Sequence, residues 1–158
     1  MPGYLSDTDP GRQPLLYCVP VDHPEHPLRL RLTADLDLRV EGTFFCSFRG
    51  PKVPETWALW QFTEVEAPRR LGFLISFADA NRNVAPSPFG GPWPARIAIT
   101  VTLERHAGIG RGTLLTLRST PLDASGAELA AFREAMSSMR MGLGQTLESL
   151  AGFLSTAR

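Results

Sequence analysis

This chain has little lysine, no net charge, few cysteines and histidines, and no long apolar run. Lys52 stands alone beside fifteen arginines, a bias that reads as gene composition before it reads as function. Sixteen basic residues balance sixteen acidic ones over 158 residues. With no basic excess to displace counterions from a phosphate backbone, a nucleic-acid partner is not expected. An acidic or basic interaction tail is excluded on the same ground. No apolar stretch approaches the roughly 18 residues a membrane-spanning helix needs, so no membrane insertion is expected. Residues 1–10 have neither a basic n-region nor an apolar h-region. No secretory leader is therefore expected, and the expected compartment is the cytoplasm. Cys18 and Cys46 are then read as reduced thiols.

The scarcity extends to reactive groups. His23 and His26 flank Glu25, but Pro24 and Pro27 forbid the helix that would align the imidazoles. A metal also needs a third or fourth ligand at fixed geometry, so no metal is expected. His106 stands beside a glycine-rich turn. No Gly-x-Ser-x-Gly elbow and no clear Cys–His pairing occur, so no catalytic residue is assigned. Asp79, Asn81 and Asn83 begin like a calcium loop, yet Val84 and Gly90 occupy the positions that need Gly and Glu. Gly108, Gly110 and Gly112 lack the strand-to-helix setting of a dinucleotide loop and read as a hairpin turn. No cofactor is expected.

What is present is an ordinary globular chain, 43% hydrophobic. Its length suits one domain with a core that needs neither metal nor disulfide. Residues 1–27 form an irregular, proline-rich N-terminal segment. Pro2, Pro10, Pro14, Pro20, Pro24 and Pro27 interrupt every apolar run there, which leaves at most a short strand over 15–19. Residues 28–158 read as the folded domain.

Strands come first. Over 28–40, Leu28, Leu30 and Leu32, then Leu36, Leu38 and Val40, alternate with charged residues. A phase change near Thr33 and Ala34 is expected there. Further strands are expected over 43–49, 56–66, 71–77, 97–103 and 113–118, separated by turn residues. Residues 79–94 hold Asn81, Asn83, Pro86, Pro88, Gly90, Gly91, Pro92 and Pro94. Such a long loop is a candidate lid or rim.

A helix is expected over 125–156. Ser125 followed by Glu128 is a capping box. Leu129, Phe132, Met136, Met139, Leu143, Leu147, Leu150 and Leu154 recur at helical spacing. Gly142 and Gly144 interrupt it, each costing about 1 kcal/mol against alanine. They suggest a close backbone approach or space beside the helix. The apolar face of an antiparallel sheet and the apolar stripe of the helix must cover each other. The fold class is α+β: a curved antiparallel sheet of six to seven strands around a long C-terminal helix, the helix-grip arrangement.

Three segments resemble one family. Gly142, Leu147, Leu150 and Leu154 match a Gly-Trp-x-x-x-Leu-x-x-Leu-x-x-x-Leu helix, with Leu143 at the usual Trp. Residues 37–45, with Arg39, Gly42, Phe44 and Phe45, resemble that family's strand pair ahead of a Gly-Pro turn, here Gly50 and Pro51. Glu64, Pro68, Arg70 and Leu71 match a Glu-hydrophobic-x-x-Pro-x-Arg-Leu link. Together they are similar to the SRPBCC (START-like) superfamily, in the subgroup homologous to the heat-shock-protein-90 ATPase activator. The resemblance covers about residues 34–154. Residues 1–33 depart from the family's opening strand and two short helices.

The resemblance implies a cavity between sheet and helix for a small apolar or amphipathic ligand. Alternation offers an apolar inward set: Phe44 and Phe48 on one strand, Trp57 on the next, then Phe73, Ile75 and Phe77, then Ile97, Ile99 and Leu115. Met136, Met139 and Leu143 face them from the helix. Phe44, Phe48, Trp57, Phe73, Ile75, Ile99, Met136, Met139 and Leu143 are the candidate ligand-binding residues, with Phe89 and Trp93 gating from the loop. The same residues would equally fill a closed core. Arg49, Gln61, Arg96 and Arg118 are polar candidates at the rim. A co-chaperone-like protein acting on a heat-shock ATPase is the alternative the family name implies. A lyase or cyclase using the same cavity is a third, with Glu64 or Glu134 as its titratable group. Trp60 and Phe62, expected to be exposed opposite Trp57, would make a surface for a homodimer.

Overall fold

The computed structural model describes residues 31–50, 53–105 and 112–156. The proline-rich segment, Cys18, all three histidines, Leu28 and Leu30, and most of the glycine-rich turn lie outside them.

Six strands are joined in chain order: β1 (Arg31–Leu36), β2 (Thr43–Gly50), β3 (Val53–Glu66), β4 (Arg70–Ala78), β5 (Arg96–Arg105) and β6 (Thr113–Leu122). Each pairs antiparallel with its neighbour, in the order β1-β2-β3-β4-β5-β6. The helix α1 (Gly126–Thr156) follows. The α+β helix-grip expectation holds. No helix among the described residues is long and apolar enough to cross a membrane.

The capping box starts α1 as its sequence predicts. The Glu128 carboxylate accepts the Ser125 amide at 2.7 Å, and the Ser125 hydroxyl accepts the Glu128 amide at 3.3 Å. The Ser125 backbone bond holds the Glu128 carboxyl below its ordinary range.

One strand ends earlier than its alternation suggests. Leu38 and Val40 do not extend β1; they stand exposed in the turn after it. Asp37 stops the strand. Its carboxylate takes the Arg39 Nε at 2.8 Å, and its carbonyl takes the Arg39 amide at 3.0 Å. Glu41 is left-handed, with φ 66°. At Gly42 a Cβ would sit 2.2 Å from the Asp37 carbonyl oxygen, so only glycine closes the turn. The Glu41 amide then bonds the Phe62 carbonyl at 2.8 Å, which ties the turn to β3.

The core lies between α1 and the strands β3–β6. Phe62, Phe73, Ile97, Ile99 and Leu117 from the sheet meet Phe132 and Met136 from the helix. Phe73 is 1% exposed. Burying a side chain of this size stabilises by about 1.5–3 kcal/mol. Leu143 is also buried, but the stripe then runs out of cover: Leu150 is 41% exposed and Leu154 59%. Gly142 and Gly144 are exposed, and a Cβ at either would meet nothing within 4 Å among the described residues. Of the two expectations, close approach of another backbone is not met among the described residues, whereas open space beside the helix is. They stand on the outward side, while Leu143 between them faces in.

Candidate functional site

Register decides which residues share the face under the helix. Phe44 pairs with Trp60, Trp60 with Ile75, and Ile75 with Ile97. In the next row Phe62 pairs with Phe73, and Phe73 with Ile99. These residues form one wall, because directly opposed residues point the same way. Its rings are in contact. Phe44 meets Trp60 edge-on at 5.1 Å, Trp60 stacks on Phe73 at 4.5 Å, and Phe73 meets Phe62 edge-on at 6.1 Å.

Trp57 is on the other side. It pairs with Ser47 and Ala78 and stacks on Phe45 at 5.0 Å. The expected facing of β3 is therefore corrected. Trp60 and Phe62 belong to the inner wall, with Phe62 3% exposed, and Trp57 belongs to the outer face. Both phases of this strand carry a tryptophan, so apolar alternation alone was ambiguous. The distinguishing signal was polar: Glu55 and Gln61 share the phase of Trp57 and are exposed. The exposed aromatic surface expected for a homodimer is not formed by Trp60 and Phe62.

The other candidates divide similarly. Phe73, Ile99, Met136 and Leu143 are buried, and Ile75 and Met139 are packed, half-buried, against the core. Phe48 pairs with Thr56 in the row beyond Cys46 and Ala58, and nothing more is described of it. Two loop aromatics reach this end of the wall. Trp93 lies 5.7 Å from Phe132, and Phe89, itself 57% exposed, meets Phe77 edge-on at 6.0 Å. The structure thus brings together Phe44, Phe73, Ile75, Ile99, Trp93, Met136 and Met139, adds Trp60 and Phe62, leaves Trp57 out, and buries Leu143 outside this cluster.

The wall is almost entirely apolar. Cys46 shares it, pairing with Ala58, and burial pushes its thiol up to about 11. Thr56 and Ser119 bring buried hydroxyls to the same face, and both have partners. Among the described residues no buried side-chain polar atom lacks a hydrogen bond, and no cluster of His, Cys, Asp and Glu could hold a metal. The rim candidates Gln61, Arg96 and Arg118 are exposed. Glu64 pairs with Arg70 at 2.7 Å on the surface, and Glu134 is exposed, so neither carboxylate lies on the inner wall.

A surface of this kind offers apolar contact and shape, with no described charge at its centre. Residues 24–155 match the family model described as Activator of Hsp90 ATPase homolog 1-like protein. Among solved structures, the chain is similar to a Mycobacterium smegmatis protein seen in a crystal structure. Identity is 25% and the TM-score 0.53, over 74% of this chain and 63% of that one. A solution structure from Arthrobacter aurescens is 27% identical with a TM-score of 0.58, over 80% of this chain and 67% of that one. A solution structure from Staphylococcus epidermidis, at 19% identity and a TM-score of 0.53, shares the fold over 77% of this chain and 68% of that one. The chain therefore spans less than two thirds of the Mycobacterium protein. No curated protein matches the sequence.

Proposed function

The chain belongs to the Activator of Hsp90 ATPase homolog 1-like family of the SRPBCC superfamily, and from that membership we propose that it binds a small apolar or amphipathic ligand between α1 and the inner wall of the sheet. The fold commonly holds ligands there. The observation that carries the reading is the aromatic run Phe44–Trp60–Phe73. Phe73 is fully packed, whereas Phe44 and Trp60 remain half-buried at the margin of the core. Met139, half-buried on the helix, packs against the same cluster. An apolar ligand would extend this cluster toward β1 and β2. Phe89 and Trp93 would cover one end. Binding would draw on apolar area and methionine adaptability, with few polar groups to orient the guest.

The test uses an apolar fluorescent probe. Wild type is expected to bind it with a Kd on the order of 1 µM, about −8 kcal/mol. Met139→Trp fills the proposed space and is expected to abolish binding while the circular dichroism spectrum stays that of the folded protein. Unchanged binding by a folded Met139→Trp would remove the site.

A further inference from the structure

The loop between β4 and β5 grips both faces of the sheet. After Ala78 the chain makes a tight turn organised by Asp79. The Asp79 carboxylate accepts the Asn81 amide at 2.8 Å, the Asn83 amide at 2.9 Å and the Asn83 side chain at 2.9 Å. The turn places Arg82 in the left-handed region, φ 67°. From there its guanidinium lies 4.8 Å over the Phe45 ring and pairs with the Asp35 carboxylate. Asp35 and Phe45 are direct cross-strand partners on β1 and β2, so one side chain engages both. They belong to the outer face. The loop then returns: Val84 bridges Ala78, and the Ala85 amide bonds the Phe77 carbonyl at 2.9 Å. Beyond it Gly90 and Gly91, at φ 75° and 74°, separate Phe89 on Phe77 from Trp93 on Phe132. Nothing described lies within 4 Å of where their Cβ atoms would be.

We propose that Arg82 is a latch: its contact with Asp35 and Phe45 on the outer face sets how often the Phe89–Trp93 arm opens over the inner wall. This rests on the ligand-binding reading only in calling that arm a lid. The rigid half of the loop is the Asp79 turn with the Ala85 bond. The arm beyond it carries Phe89 and Trp93 on either side of the glycine pair, which has the conformational freedom to bend. Arg82 is a positioning residue, since it lies on the face opposite the proposed ligand. An exposed ion pair and a cation–π contact are each weak, but both act on this loop through one residue.

The first variant leaves the loop sequence untouched. In Asp35→Ala, hydrogen exchange of the Ala85 amide and of residues 87–95 is expected to rise about 2- to 5-fold, with core amides on β4 and β5 unchanged. The charge swap Asp35→Arg with Arg82→Asp is expected to restore slow exchange. Dissociation of the apolar probe is expected to quicken by the same factor. Unchanged loop exchange in Asp35→Ala overturns the latch, and this readout needs no ligand. Faster exchange with an unaltered probe off-rate overturns its control of a lid, whereas Met139→Trp judges the ligand site separately.

Discussion

Trp57 and Trp60 share β3 yet serve opposite faces of the sheet. Trp60 stacks on Phe73, within 3° of parallel, and packs into the core beneath α1. Trp57 stacks on Phe45, within 13° of parallel, and that ring is capped by the Arg82 guanidinium. The inner stack is covered by a helix that contributes its own apolar side chains. The outer stack is met by one charged side chain from a loop. Equal aromatic content therefore does different work: the inner pair joins the main hydrophobic cluster, and the outer pair anchors a connection.

The largest expected difference between the faces is in stability. Phe73→Ala should cost about 3–5 kcal/mol, since a large cavity opens under α1. Phe45→Ala should cost about 2 kcal/mol, because it loses transfer energy beneath a loop that can settle. Urea denaturation of both variants measures this, and equal losses would break the contrast. Next comes reactivity. Cys46 lies on the inner face with its thiol raised from 9.0 to about 11. In a Cys18→Ser background, thiolate formation by the folded protein near neutral pH should fall about 100-fold below that of an ordinary cysteine. A disulfide reagent should therefore label Cys46 only on unfolding.

Smaller effects fall away from the inner wall. Gly142→Ala and Gly144→Ala should each stabilise by about 0.5–1 kcal/mol, since both are exposed helical positions with open space at the Cβ. A loss of stability in the same denaturation assay would mean that something packs there. The smallest effect is the pH response of the Asp79 turn. Hydrogen bonds from Asn83 hold its carboxyl below the ordinary 3.8. The turn's contribution is complete above that value and is lost as pH falls through the lower folded value. Amide signals of Asn81 and Asn83 should therefore shift only as pH falls below the ordinary 3.8, with no change between pH 5 and 8.

Much of this fold was legible from short-range pattern. The capping box, the helix from residue 126 and the positions of β2 to β6 follow from periodicity and turn residues, because each signal is local. What escaped was set by contacts distant in sequence. β1 runs through Thr33 and Ala34 in unbroken register with β2, so the phase change expected there is absent; Leu38 and Val40 continue the same alternation, yet Asp37 and Gly42 fold the chain away from it. The facing of β3 depended on which of two tryptophans found Phe73. The Arg82–Asp35 pair joins residues 47 apart in the chain, and no spacing rule reports it. The stripe Leu147, Leu150 and Leu154 announces the capacity to bury area, but whether it is buried depends on what lies opposite. For the site, the helix and sheet contributions were readable as an apolar set, whereas the exchange of Trp57 for Trp60 was carried only by the polar phase of Glu55 and Gln61, which the two tryptophans masked.

The most direct test of the ligand-binding account follows the three indole N–H signals by NMR during titration with an apolar probe. The account predicts that the Trp60 and Trp93 signals move together and saturate with one affinity, while the Trp57 signal stays in place. Movement of Trp57 with Trp60 and Trp93 unmoved would contradict it, because the probe would then be binding the outer face.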